Sequence, residues 1–158
     1  MAEWLKAHDS KSCGQQCLGG SNPLASAILG GKSFMESVFT KIIKGEIPCY
    51  KIYEDEKTFV FLDNNPETAG HTLVVPKNQV DKIYELPDED YEAVFRTVKK
   101  VAKRMEEVLG KRTLMKIIGT EVPHAHVHLT PYDETWVHGR TVKLTPEEMK
   151  EIQEKLAF

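Results

Sequence analysis

Cysteine is scarce in this chain: three residues, Cys13, Cys17 and Cys49. That number and spacing exclude a disulfide framework and make a reducing, cytoplasmic compartment the expectation. No apolar run approaches the ~20 residues needed to span a bilayer, so no membrane partner is expected. Neither sign of charge dominates, since 21 Lys and Arg against 24 Asp and Glu leave a formal charge of -3. A general electrostatic grip on nucleic acid is therefore not expected. There is also no internal repeat. What remains is 158 residues, 41% hydrophobic and 28% charged, enough apolar material for one core and too much for wholesale disorder.

The composition changes near Gly31. Residues 1–34 hold five of the ten glycines and show no sustained apolar period. They are expected to form a tail outside a domain spanning 35–158. With permitted codons, Gly20-Ser21-Asn22-Pro23 can be written as the T-arm of a transfer RNA gene. His8 to Cys13 can likewise be written as an anticodon arm reading leucine. The expectation drawn from this is a start assigned inside a neighbouring tRNA gene, with Met35 as the real start. A native tail and a cloning scar are the alternatives.

From Met35 onward the pattern is regular. Ser37 can cap a short helix from Val38, and Gly45 can close it. Cys49 to Glu54, Thr58 to Asp63 and His71 to Pro76 read as strands, the second nearly all apolar and hence central. Asn64 to Gly70 is a loop by composition. A long helix follows Leu86, with Val94, Phe95, Val98, Val101, Ala102, Met105, Val108 and Leu109 as one buried stripe. Thr113 to Ile118 and His124 to Thr130 read as two further strands. Thr145-Pro146-Glu147-Glu148 is a capping box opening a short C-terminal helix. The predicted fold is α+β: an antiparallel sheet of about five strands, one long helix, and short helices at the N- and C-terminal ends.

His124-Ala125-His126-Val127-His128 alternates strictly. On a strand that puts three imidazoles on one face, ~6.8 Å apart, with Ala125, Val127 and Leu129 turned into the core. Core histidines come singly, so a row of three points to chemistry. One reading is metal: H-x-H on a strand is a common zinc pair, and Glu121 could add a carboxylate. The other is nucleophilic attack on phosphorus, with one imidazole attacking and its neighbours donating hydrogen bonds to the phosphoryl oxygens. An unperturbed histidine is mostly neutral, hence nucleophilic, near pH 7.

Residues elsewhere bear on the choice. Val38 to Pro48, Tyr53-Glu54-Asp55, Phe61-Leu62-Asp63 with Pro66, Gly70-His71-Thr72-Leu73-Val74-Val75-Pro76-Lys77 and Val122 to Pro131 occur in that order. Together they resemble the histidine triad (HIT) family of nucleotide hydrolases and transferases. The resemblance implies that His126 is the nucleophile and forms a nucleotidyl-imidazole intermediate. It implies that His124 and His128 flank it and bind phosphate oxygens, and that His71 supports the triad. It also implies that Val38, Phe39, Ile42, Phe61 and Leu62 wall the base, and that Asp63 binds the ribose hydroxyls. The glutamine of the transferase branch is absent, because this chain has His128. A purine nucleotide is the implied substrate, a homodimer the implied assembly, and no cofactor or metal is implied.

The chain departs from the family pattern in two places. Many bacterial members carry a C-x2-C zinc pair beside the first helix and a histidine after strand three. Here those positions are Ser37, Thr40 and Gln79. The Gln and Ser/Thr that usually precede the triad are Thr120 and Glu121. An acidic side chain beside an anionic phosphate suggests an amine-bearing leaving group rather than a second nucleotide. Trp136 and His138, beyond the triad, are read as loop or dimer contacts. The expected function is hydrolysis of a nucleoside phosphoramidate or dinucleoside polyphosphate. The rival from another class is a nucleotide-binding module with little turnover.

Overall fold

The computed structural model describes residues 35–158, so the expectations for residues 1–34 lie outside the described residues. Helix α1 (Val38–Ile43) starts where Ser37 accepts the Thr40 N–H. Strands β1 (Lys51–Glu54), β2 (Thr58–Leu62) and β3 (Thr72–Pro76) follow as an antiparallel meander. Helix α2 (Asp88–Leu109) begins with three acidic residues, which suit the positive end of its dipole. It ends at Gly110, whose φ of 65° is open to glycine at little cost. Strands β4 (Thr113–Lys116) and β5 (Val127–Pro131) return to the sheet, and the capped helix α3 (Pro146–Leu156) closes the chain.

The five strands lie in the order β1-β2-β3-β5-β4, all neighbours antiparallel. This is the predicted α+β architecture. Every residue of β2 and β3 is buried, because helices cover both faces of the sheet. Under α2 lies a core of Val60, Leu62, Val74, Val94, Val98, Val101 and Met105, joined by Ala125, Val127 and Leu129. Phe39 and Ile42 of α1 cover the other face against Phe59, Phe61, Leu73 and Val75. Alternation along β2 and β3 thus divides their side chains between two cores.

Three strand limits differ from the sequence reading by more than one residue: β1 starts at Lys51, β4 stops at Lys116, and β5 starts at Val127. The last has a clear cause. The His124 carbonyl accepts from the His126 ring at 2.7 Å, and the Pro76 carbonyl accepts from the His124 ring at 2.8 Å. Both carbonyls are thereby taken from a regular ladder, and the Ala125 N–H donates to Val80 instead. Phe95, assigned by spacing to the buried stripe of α2, is only half-buried and packs beside Tyr91 at 4.7 Å between ring centroids.

Candidate active site

The three histidines of the triad do share one side of the sheet, with Ala125, Val127 and Leu129 on the other. Phe39 packs edge-on against His126 at 5.1 Å and His124 at 5.8 Å, and His126 lies 4.8 Å from His128 between ring centroids. The apolar anchors under α2 therefore set the height and spacing of the row above.

Hydrogen bonding fixes the tautomer of each ring. A carbonyl can only accept, so His126 Nδ1 carries the hydrogen that it donates to the His124 oxygen. In the neutral ring the lone pair then lies on Nε2. His124 donates from Nε2 to the Pro76 carbonyl, so its Nδ1 accepts from the Ser37 hydroxyl at 2.7 Å. Both nitrogens of His124 are committed and the residue is fully buried. The His124 ring is thus held inside the fold by Ser37 and Pro76, and its backbone oxygen accepts from His126.

His71 accepts the Glu67 N–H at Nδ1, 3.2 Å away, and so donates from Nε2 to His128 Nδ1 at 3.0 Å. That leaves the hydrogen of His128 on Nε2. Burial is the main reason that His71, His124 and His128 are all held below the usual histidine range, His128 down to about 3. All three are neutral at physiological pH. Asp63 Oδ2 lies 3.5 Å from His71 Nδ1, and its other oxygen accepts the Asn65 N–H at 2.9 Å. Asp63, His71 and His128 offer three ligand-type atoms within 4.8 Å. Both His71 nitrogens are already hydrogen-bonded, so the set reads as a relay.

The apolar wall is partly as expected. Phe39, Ile42 and Phe61 gather in the core beside the histidines. Leu62 does not: it follows Phe61 on the strand, so its side chain faces the opposite way into the core under α2. Only its backbone can border the site. Val38 is left 43% exposed on α1 and outside that cluster.

Where many family members hold zinc, this chain builds a hydrogen-bonded node. Ser37 donates to His124, Thr40 donates to Gln79 Oε1 at 2.5 Å, and the Ser37 N–H donates to the same oxygen at 3.1 Å. Two hydroxyls and an amide are poor donors for zinc, which favours thiolate and imidazole, and His124 has no nitrogen left to offer. The residues do not fit a structural zinc.

One buried residue beside the histidines, Glu67, was missed by sequence reasoning, as was its half-buried partner Lys116. The Glu67 carboxylate, 8% exposed, accepts from Lys116 Nζ, from Trp136 Nε1 at 2.8 Å and from the Gly139 N–H at 3.0 Å. Burial works against its charge, but these donors prevail and hold its pKa near the bottom of the carboxylate range, at about 2. Trp136 and His138 are thus loop contacts, tied to Glu67. The only signal available was a glutamate in a loop otherwise made of turn residues.

Comparison with known proteins agrees with this geometry. The HIT domain family matches residues 44–135 of the chain. The chain belongs to the HIT family. It is 36% identical over 134 residues to Protein hit of Bacillus subtilis, covering 76% of this chain and 91% of that protein. It is 35% identical over 129 residues to adenosine 5'-monophosphoramidase hnt1 of Schizosaccharomyces pombe, covering 78% and 97%. Among solved structures it is similar to a zinc-bound histidine triad family protein of Mycobacterium smegmatis. That match has a TM-score of 0.66 and 28% identity, over 77% of this chain and 91% of the other. No helix among the described residues is long and apolar enough to cross a membrane.

Proposed function

We propose that this HIT-family chain is a nucleotide hydrolase that cleaves a nucleoside phosphoramidate or a dinucleoside polyphosphate through a covalent nucleotidyl-histidine. The observation that carries this reading is the bond from His126 Nδ1 to the His124 carbonyl. In the neutral ring it leaves the lone pair on Nε2, a nucleophile positioned by backbone. The relationship to a monophosphoramidase supports the substrate class.

In the first step the Nε2 lone pair attacks the α-phosphorus, and the bond from phosphorus to the leaving nitrogen or oxygen breaks. The leaving group departs with the bonding pair and takes up a proton from solvent, which the attacking water of the second step returns. His128, with its hydrogen on Nε2, donates to a phosphoryl oxygen as negative charge builds there. In the second step water attacks the same phosphorus, the N–P bond breaks, and nucleoside monophosphate leaves with His126 restored. Phe39, Ile42 and Phe61 supply apolar contact for a purine, and Asp63 a carboxylate for the ribose diol. A single-turnover assay with nucleotides labelled at the α-phosphate, over a panel of phosphoramidates and diadenosine polyphosphates, tests the reading. Product with transient label on protein supports it. Retained ligand without product marks a binding module.

Glu121 is exposed, three residues before His124. Glu121→Ser is expected to raise turnover of dinucleoside polyphosphates relative to phosphoramidates about tenfold, by removing a negative charge near an anionic leaving group. An unchanged ratio would place the side chain away from the substrate.

The active assembly in this reading is a homodimer. β4 is an edge strand, and Met115 on it is 57% exposed, with Ile117 just beyond at 47%. A groove of about 370 Å³ lies beside Met115, lined by Phe95, Val98 and Ala102 of α2. An open edge next to apolar side chains suits a second copy of itself. Light scattering should give the mass of two chains for the wild type and of one for Met115→Lys. A monomeric wild type would remove this part of the reading.

A further inference from the structure

Lys116 stands on β4 directly opposite His128 on β5. Cross-strand partners point their side chains to the same face, so the ammonium and the imidazole lie on the same side of the sheet. The Lys116 side chain is only 15% exposed and is paired with the still more buried Glu67. Trp136 covers it, its ring centroid 5.4 Å from Nζ. A lysine seated this way has lost the mobility of a surface cation.

We propose that Lys116 is a positioning residue of the site: anchored by Glu67, it fixes a positive charge beside His128 and so preserves the direction of the hydrogen bond from His71 to His128. This rests on the phosphoryl-transfer reading above and deepens it. The relay needs His128 Nδ1 bare, because His71 Nε2 donates into it at 3.0 Å. A protonated His128 would set one hydrogen against another there and break the bond. The charged and titratable groups facing His128 are His126 on its own strand, His71 at the start of β3, Lys116 on β4, and Glu67 and Asp63 in the loop before β3. Burial disfavours the imidazolium most, followed by His126, His71 and then Lys116, while Glu67 favours it. Glu67 limits its own effect by spending its oxygens on Lys116, Trp136 and Gly139, and its N–H on His71. One residue thereby connects the cation, the relay and the segment after β5.

The test follows the His128 ring by nitrogen-edited NMR across an acid titration, alongside the pH profile of kcat/KM on an adenosine phosphoramidate. In Lys116→Met the His128 midpoint should rise by roughly one unit, the scale of losing one nearby charge at a high effective dielectric. The acid limb of kcat/KM should move up with it, while kcat at neutral pH, where His128 stays neutral in both proteins, should change little. Lys116→Arg, which keeps the charge, should keep both midpoints where the wild type has them. Should Lys116→Met fail to fold, Lys116→Gln, which still donates to Glu67, decides in its place. A folded, charge-free variant with an unmoved His128 midpoint would overturn the proposal and reduce the pair to a structural clamp. The NMR reading needs no turnover, so a wild type inactive on every nucleotide would sink the functional reading and leave this result standing.

Discussion

Replacing His126 by alanine is expected to lower turnover by at least four orders of magnitude while nucleotide binding survives. The side chain does two things at once. In the proposed mechanism its Nε2 forms the bond to phosphorus, and in the structure its ring packs edge-on against Phe39 at 5.1 Å. Loss of a nucleophile that also organises its neighbours removes the covalent path outright. The contrast with His128 makes the test specific. His128→Ala deletes one donor to the developing charge, a loss usually of ~10²–10³ in rate. Label from an α-phosphate-labelled substrate should be trapped on wild type and on the His128 variant, and be absent from the His126 variant. Label that mapped to another histidine, or near wild-type turnover without His126, would defeat the covalent assignment.

The largest expected effect on stability is at Gly70. Its φ of +94° lies where L side chains are strained, and a Cβ built there would meet Leu109 Cδ1 at 2.9 Å and Pro131 Cγ at 3.2 Å. Leu109 ends α2 and can rotate aside in part, whereas Pro131 ends β5 and has a rigid ring. Backbone strain of ~1–2 kcal/mol and crowding of ~1–3 kcal/mol put Gly70→Ala at about 2–5 kcal/mol. For a domain of this size that is a fall in Tm on the order of 10 °C, read by thermal melting of the full chain. A shift under ~3 °C would mean that the loop relaxes freely. Because His71 follows immediately, a folded variant should also lose activity.

The fold was legible because its signals are periodic. The alternation from His124 to Leu129 foretells which side chains meet α2 and which stay beside Phe39, and the Thr145 capping box is present as read. What escaped has a physical reason in each case. Leu62 was grouped with Phe61 because resemblance works on sequence neighbours, while a strand sends neighbours to opposite faces. The hydrogen bonds of His124 go to two partners far away in sequence, Ser37 and Pro76, that no local pattern announces. Glu67 and Lys116 meet across 49 positions of chain, and each alone looks like an ordinary surface charge.

The Ser37–Thr40–Gln79–His124 node carries a consequence for the conditions that the fold tolerates. A seat for α1 built from thiolates and a bound ion is sensitive to oxidants, chelators and metal supply. Hydroxyls and an amide have no such chemistry. The contact between α1 and the first triad histidine therefore rests on neutral hydrogen-bonding groups and on the packing of Phe39. Scarce metal and oxidative stress leave that joint untouched.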